Sequence, residues 1–242
     1  MKRYIVLICA LALHMTPRAQ TRQGVVVYER RVDFYRHLQD EQMKAMVPQF
    51  QTARYEVIFK DTISVYKIVP KDEAPDPFDA GGGGMVIKFS GPGDDGVLYK
   101  NFGSGRLLQA ATLDDQSYVI ADSLVTIPWK LTDETRTILN HVCKKATATS
   151  ARGAIAAWYA LDMPVPAGPD RFGGLPGVIL LVDVDNGGVV FSAVQIQPSV
   201  NTRDLAPSLT GKRVTRAEFT KKMDEVLGPA DSLGRRMIRR EG

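Results

Sequence analysis

The sequence predicts a mostly β protein of the α+β class, built as a single curved antiparallel sheet or half-open barrel packed against one C-terminal helix. Short β-branched and aromatic runs recur at intervals of roughly ten residues, separated by Gly, Asp and Asn. One run, residues 178–182, is apolar at every position and therefore has to be covered on both faces. The stretch from Thr215 to Leu227 carries the start signal and the apolar stripe of a helix.

The chain has 242 residues, of which 44% are hydrophobic and 24% are charged. This length suits one large domain or two small ones, and the composition is that of an ordinary globular protein with a packed core. Because the sequence contains neither an internal repeat nor a clear domain boundary, we expect residues 20–242 to form a single domain.

The first residues have the pattern of a secretory signal peptide. Lys2 and Arg3 precede an apolar run from Tyr4 to Leu13, and small residues lead to a cleavage point after Ala19. The run is shorter than the roughly 20 apolar residues that span a bilayer. We therefore expect residues 1–19 to be removed on export, with a short N-terminal membrane anchor as the alternative.

The two cysteines are not expected to form a disulfide. Cys9 lies inside the apolar run directly after Ile8, which does not suit a lipidation site. Signal cleavage leaves Cys143 as a lone thiol, and a lone thiol in an oxidising compartment is either buried or paired with another chain.

Signal cleavage also removes most of the excess positive charge. Lys2, Arg3 and Arg18 leave with the signal, so the net charge falls from +4 to about +1. The basic balance is therefore no evidence for a nucleic-acid partner, which requires a clustered basic surface. The C-terminus does hold a basic cluster, which we interpret as a solvated tail, with contact to an anionic membrane surface as the alternative: Arg235, Arg236, Arg239 and Arg240.

In the N-terminal third of the chain, the residue pattern predicts strands followed by a loop. Residues 24–33 form a strand, and 36–47 fit a short helix or an excursion loop equally well. Residues 53–60 and 62–69 alternate in the manner of a β-hairpin. Residues 70–84 form a flexible loop, because prolines, acidic residues and four consecutive glycines dominate them. The glycine run lacks the Lys and Ser/Thr of a phosphate-binding loop, and no cofactor is predicted.

The rest of the chain predicts further strands and the helix. Asp185–Gly188 is a turn between the last two strands, and Gly228–Pro229 ends the helix, whose capping box is Thr215 and Glu218. The simplest arrangement places this helix against the outer face of the apolar strand. The strand segments are 85–89, 97–102, 106–112, 117–121, 135–148, 154–163, 178–184 and 189–196.

The most unusual segment is Gly168–Leu180, which contains two X-Pro steps and a high density of glycine ahead of the apolar strand. The proline at 176 holds Leu175 extended, and Pro176–Gly177 suits the centre of a type II turn. Phe172 and Leu175 are its apolar anchors. One interpretation is a rigid loop that aims the chain into the central strand; the sharper one is a backbone lip that approaches a ligand.

This segment resembles the signature of the GLPGLI family, since Gly174–Ile179 reads GLPGVI. The sequence departs from the family pattern at Val178, at Val142 and at His141. The resemblance implies a protein of this size secreted by Gram-negative bacteria, with no established catalytic activity. Further family positions match Ala157–Tyr159, Met163–Pro164, Gly168–Pro169, Trp129, Ile138 and Cys143–Ala146. The motif residues that would form a binding lip are Trp158, Tyr159, Gly168, Pro169, Phe172, Gly174, Leu175, Pro176 and Gly177.

His141 and Cys143 share one face if their segment is a strand. With Met163 they are candidate ligands for a soft metal such as copper, or a nucleophile–base pair. The alternative is a buried thiol beside an exposed ring.

The sequence contains no nucleophile elbow, HExxH, CxxC or paired-carboxylate spacing. We therefore expect no enzyme, but a secreted, periplasmic or outer-envelope protein that binds an apolar ligand or an unknown envelope protein. After signal cleavage it is not expected to span a membrane. The alternatives are a copper-binding envelope protein and an uncharacterised envelope hydrolase.

Overall fold

The computed structural model describes residues 20–38, 40–70, 96–206 and 209–227. Four sequence predictions fall outside these ranges: the signal peptide at 1–19, most of the loop at 70–84, the strand at 85–89, and the helix stop with the basic tail. Among the described residues, no helix is both long and apolar enough to cross a membrane.

The protein is mostly β, as the sequence predicts, with twelve strands in the described residues. The N-terminal strands are β1 (Gln23–Asp33), β2 (Phe50–Lys60), β3 (Ile63–Ile68), β4 (Leu98–Asn101), β5 (Arg106–Leu113) and β6 (Gln116–Ser123). The C-terminal strands are β7 (Lys130–Ile138), β8 (His141–Ser150), β9 (Gly153–Ala160), β10 (Ile179–Val184), β11 (Val189–Gln197) and β12 (Lys212–Thr215).

In the described ranges, helices are few and short. The α-helices are α1 (Glu41–Met46) and α2 (Arg216–Leu227). Two 3-10 helices span Phe34–His37 and Thr202–Leu205. The segment predicted as a helix or an excursion loop is therefore largely helical.

All twelve strands form one open, curved sheet in the order β12-β6-β5-β4-β3-β2-β1-β11-β10-β9-β8-β7. Neighbours along the sheet are antiparallel except at one edge, where β12 runs parallel to β6. β12 was not predicted, because its four residues are too short and too basic to show an alternating pattern.

The hairpin of β2 and β3 confirms the strongest N-terminal prediction. The two strands pair without a register shift from Tyr55↔Ile68 to Lys60↔Ile63. Asp61 turns the chain with a φ of 50°, a left-handed conformation that Asp adopts more readily than most residues.

The single strand predicted over residues 135–148 is wrong. The chain instead turns at Leu139 and Asn140, with φ values of 47° and 66°, so that β7 and β8 form a hairpin. The prediction missed the turn because Leu is a rare turn residue and the Leu-Asn pair contains no glycine.

The helix α2 begins with the predicted capping box. The backbone N–H of Thr215 donates to a Glu218 carboxylate oxygen at 2.7 Å, and the Glu218 N–H donates to the Thr215 hydroxyl at 3.2 Å. Reciprocal bonds of this kind satisfy amide groups that the first helical turn leaves unpaired.

The predicted position of α2 against the apolar strand is wrong. Phe219 of α2 packs instead with Tyr118, Ile120 and Val214, on β6 and β12 near the far edge of the sheet. The apolar strand β10 is covered by the segment between β9 and β10, which buries Met163, Val165, Ala167 and Leu175 in the main core. The chain thus covers its most hydrophobic strand with the loop that immediately precedes it.

Candidate functional site

The loop at residues 168–177, which carries the predicted motif, is hydrogen-bonded to a buried lysine. Lys100 of β4 is 1% exposed, and its Nζ donates to the carbonyl oxygens of Gly168 at 2.7 Å, Asp170 at 2.7 Å and Phe172 at 3.0 Å. These bonds join the loop to a strand that is six places away from β9 in the sheet.

The surroundings of Lys100 shift its pKa in both directions. Burial lowers the pKa of Lys100 to about 7, the nearby Asp170 acts to raise it, and Arg171 acts to lower it. The three carbonyl oxygens favour the protonated form, because only an ammonium group has three N–H donors. When protonated, the lysine is a buried cation whose partners are backbone dipoles of the motif loop.

Other side chains satisfy further carbonyl groups of this segment. The indole Nε1 of Trp129 donates to the Gly173 carbonyl at 3.0 Å, and the Tyr28 hydroxyl donates to the Ile179 carbonyl at 2.5 Å. Burial raises the pKa of Tyr28, so this hydroxyl stays protonated. These oxygens are already occupied as acceptors, an arrangement that favours the rigid-loop interpretation over the binding lip.

Gly177 does not form the predicted type II turn, because its φ is not positive. Its role is close packing: a Cβ atom would lie 1.9 Å from the Ala160 carbonyl oxygen and 3.2 Å from the Met163 carbonyl oxygen. Gly174 has a positive φ of 82°, as Asp170 has at 45°, and there is open space where a Cβ atom on Gly174 would lie. The two glycines of the motif therefore meet different demands.

The apolar anchors of the loop lie where the sequence predicts. Leu175 is 2% exposed within the main core. Phe172 is half-buried, and its ring meets that of Phe191 edge-on at 5.9 Å. Gly168 and Pro169 are buried beside them, whereas Pro176 is exposed.

Trp158 and Tyr159 lie on opposite faces of β9. Tyr159 is buried in the core at 3% exposure. The ring of Trp158 is half-buried, with the Arg136 guanidinium 4.9 Å and the Lys145 ammonium 5.8 Å from its centroid. Both rings are used in packing, and Trp158 adds a cation–π contact.

A cleft of about 420 Å³ opens beside the β7–β8 turn. The segment before β1 reaches its wall, where the Thr21 N–H donates to the Asp162 carbonyl at 2.9 Å. Polar and apolar groups face the same space, an arrangement typical of ligand sites. The lining consists of Thr21, Leu139, Asn140, His141, Met163, Ile196 and Pro198.

The imidazole of His141 is fixed in this cleft by a carboxylate. Its Nδ1 lies 2.9 Å and 3.0 Å from the two carboxylate oxygens of Asp162, and both side chains are 24% exposed. Because a carboxylate accepts hydrogen bonds, Nδ1 carries the proton. In the neutral ring Nε2 is then an acceptor, so the pair can present a hydrogen-bond acceptor or a base of defined orientation.

The predicted metal-ligand set is brought together only in part. His141 and Met163 both line the cleft, but Cys143 is absent from that lining, and its Sγ contacts the His141 carbonyl at 3.5 Å. The described residues contain no cluster of three or more His, Cys, Asp or Glu side chains able to hold a metal ion. The soft-metal hypothesis stays a prediction.

Cys143 is expected to react slowly in the folded protein. It is fully buried, and burial, followed by the charge of Asp162, raises the pKa of its thiol to about 11. A thiol reacts as the thiolate, so at pH 8 alkylation of a Cys9→Ser variant by iodoacetamide should be about 100-fold slower than in urea. Equal rates with and without urea would contradict this burial.

The comparisons with known proteins identify a family. Residues 96–222, just over half of the chain, match the family described as "N-glycanase peptide, N-terminal domain". The chain belongs to this family. The matched range contains Lys100, the whole motif loop and the His141–Asp162 pair of this N-glycanase N-terminal domain.

Solved structures support the same fold. Two structures of PNGF-II, in space groups C2 and P21, each align with 86% of the chain at 16% identity and a TM-score of 0.57. The chain spans only 34% of the length of PNGF-II, so the likeness concerns one part of that protein. No curated protein matches the chain. The GLPGLI resemblance, which rests on residues within the matched range, stays a prediction.

Two residues of the N-glycanase N-terminal domain were missed by sequence reasoning. Lys100 was not singled out, although it occupies an inward position in the alternating pattern of β4, two residues after the buried Leu98. No role was predicted for Asp162, because Asp is common at turns and strand ends. Its pairing with His141 could not be read from the sequence, since it depends on the position of β9 beside β8.

Proposed function

We propose that the chain is a non-catalytic binding domain of an exported protein, and that its ligand enters the cleft beside His141. The observation that carries this proposal is the lining of the cleft, where a fixed imidazole and two other polar side chains face four apolar ones. Apolar surface supplies affinity in such a site, and a few oriented polar groups supply specificity.

The surroundings of the cleft favour a polypeptide ligand. Leu139 lines the cleft beside His141 and is 40% exposed. This exposed apolar side chain suits contact with a hydrophobic side chain of a bound peptide.

A sugar ligand fits the same lining less well. Carbohydrate rings commonly stack on aromatic side chains, and the described lining contains no Phe, Tyr or Trp. Because family members are named for N-glycanase, we propose that the ligand is the peptide portion of an N-glycosylated protein.

Three probes test this assignment: a peptide with an N-linked glycan, the same peptide without the glycan, and the free glycan. By isothermal titration calorimetry, both peptides should bind with similar affinity, and the free glycan should not bind. Leu139→Asn, which suits the left-handed turn, should weaken binding about tenfold because it removes an apolar contact. The matched control Val194→Thr changes an exposed residue of β11 outside the cleft and should leave binding unchanged.

Binding of the free glycan alone, or equal effects of the two substitutions, would contradict the peptide proposal. The His141–Asp162 pair supports one rival, an envelope hydrolase, since an imidazole oriented by a carboxylate can act as a general base. Mass spectrometry of the glycosylated peptide after incubation distinguishes the two. A cleaved product that disappears with His141→Ala would establish the hydrolase.

The proposal includes export. The N-terminal pattern around Lys2, the apolar run and Ala19 supports it, and N-terminal sequencing of protein recovered from its native cells tests it. A mature chain beginning at or near Gln20 is the expected result, and retention of Met1 would contradict export.

A further inference from the structure

Two arginine side chains from distant parts of the chain converge on one oxygen atom. The Nη2 of Arg171, in the motif loop, donates to the Oε1 of Gln109 at 2.6 Å. The Nη2 of Arg216, the first residue of α2, donates to the same Oε1 at 2.5 Å. An amide oxygen has only a partial negative charge, so it compensates two guanidinium groups poorly.

In the part of the chain that the structure describes, only Arg216 of the two arginines has a carboxylate partner. Asp122 lies 3.4 Å from Nε of Arg216, whereas Arg171 forms no ion pair with any carboxylate of the described residues. Burial, followed by the charge of Arg171, lowers the pKa of Arg216. The charge of Arg171 also lowers the pKa of the buried Lys100. Among the described residues, the two guanidinium groups therefore repel each other, and the one carboxylate that forms an ion pair with either of them is Asp122.

The amide of Gln109 is left only partly hydrogen-bonded in this arrangement. It is 1% exposed, and its Nε2 has no hydrogen-bond partner in the part of the chain that the structure describes. The amide cannot be flipped to satisfy Nε2, because guanidinium groups only donate and need Oε1 as the acceptor. Buried polar groups without partners are rare in folded proteins and require an explanation.

We propose that Arg171 and Arg216 form a binding site for an oxyanion: the carboxylate, sulfate or phosphate group of a ligand. Planar guanidinium groups bind such groups through paired, charge-assisted hydrogen bonds. Both arginines are partly exposed, so a solute can reach them. The bound anion compensates the positive charge of both guanidinium groups better than the Gln109 oxygen does. It also links the motif loop to α2.

This site is separate from the cleft, since none of the cleft-lining residues takes part in it. It therefore goes beyond the proposed function, and the failure of one leaves the other intact. A ligand that carries both an apolar group and an acidic group would contact the cleft with the first and the two arginines with the second.

Thermal unfolding with added sulfate, phosphate or glucuronate, at constant ionic strength set with chloride, tests the site. At least one anion should raise Tm in a saturable manner, as expected for binding to the folded state. Arg171→Gln and Arg216→Gln should each weaken the apparent affinity at least about tenfold. The matched control Arg213→Gln, an exposed residue of β12, should retain the wild-type response.

The three anions also separate the ligand classes. A preference for glucuronate indicates an acidic sugar, and a preference for sulfate or phosphate indicates an ester of that acid. General salt stabilisation acts equally on all variants. If Arg171→Gln does not fold, Arg171→Lys is used, which keeps the charge but loses the paired donors and should still weaken binding. No saturable response to any anion, or equal responses in all variants, would overturn the proposal.

Discussion

Replacement of Lys100 by methionine is expected to lower the free energy of unfolding by about 3–5 kcal/mol, because it leaves three buried carbonyl groups without their donor. Methionine fills a similar volume but cannot donate to the carbonyl oxygens of Gly168, Asp170 and Phe172. Each buried acceptor left without a partner costs roughly 1–3 kcal/mol, and partial rearrangement of the loop keeps the sum within this range.

Urea unfolding followed by tryptophan fluorescence measures this loss. Lys67→Met is the matched control, because Lys67 lies on the neighbouring strand β3, is 34% exposed and forms an ion pair with Glu56 at 3.1 Å. An exposed ion pair contributes at most about 1 kcal/mol. Equal losses in the two variants would show that the three carbonyl contacts do not hold the loop.

The substitution Gly177→Ala is the second change expected to have a large effect. The new methyl group would lie 1.9 Å from the Ala160 carbonyl oxygen and 3.0 Å from its carbon, both rigid backbone atoms. The backbone would have to move apart where the Ala160 N–H donates to the Val178 carbonyl at 2.9 Å. We expect a loss of about 3 kcal/mol or more in the free energy of unfolding.

Gly174→Ala is the matched control for that substitution. Its φ of 82° strains an alanine, but no atom lies within 4 Å of the added Cβ. The expected loss is about 1–2 kcal/mol, the cost of the left-handed conformation alone. If Gly174→Ala were the more damaging change, the glycines of the motif would be required mainly for a turn conformation and not for a close backbone contact.

Much of the sheet could be predicted from the sequence because its strands alternate or are flanked by turn residues. The β2–β3 hairpin and β10–β11, joined at Asp185–Gly188, are of this kind. The β7–β8 turn could not be predicted, because Leu139 adopts a left-handed conformation only under the constraint of the two paired strands. The position of α2 was mispredicted because amphipathicity shows that a helix must pack, but not which strand it packs on.

The candidate site was predictable only in its local parts. His141, Met163 and the anchors Phe172 and Leu175 stand out by residue type or by their place in an unusual segment. Lys100 and its partners are about 70 positions apart in the chain, so their contact exists only once the sheet has curved. Local sequence patterns do not specify such contacts, which depend on the whole topology.

We expect two parts of the molecule to have separate roles: the motif loop supports the sheet, and the cleft beside His141 binds the proposed ligand. Backbone amide NMR during titration with the N-glycosylated peptide tests this separation most directly. Saturable shifts should appear at Thr21, Asn140 and Ile196, with little change over residues 168–177. Shifts confined to residues 168–177 would contradict the account and would identify the motif loop as the binding lip.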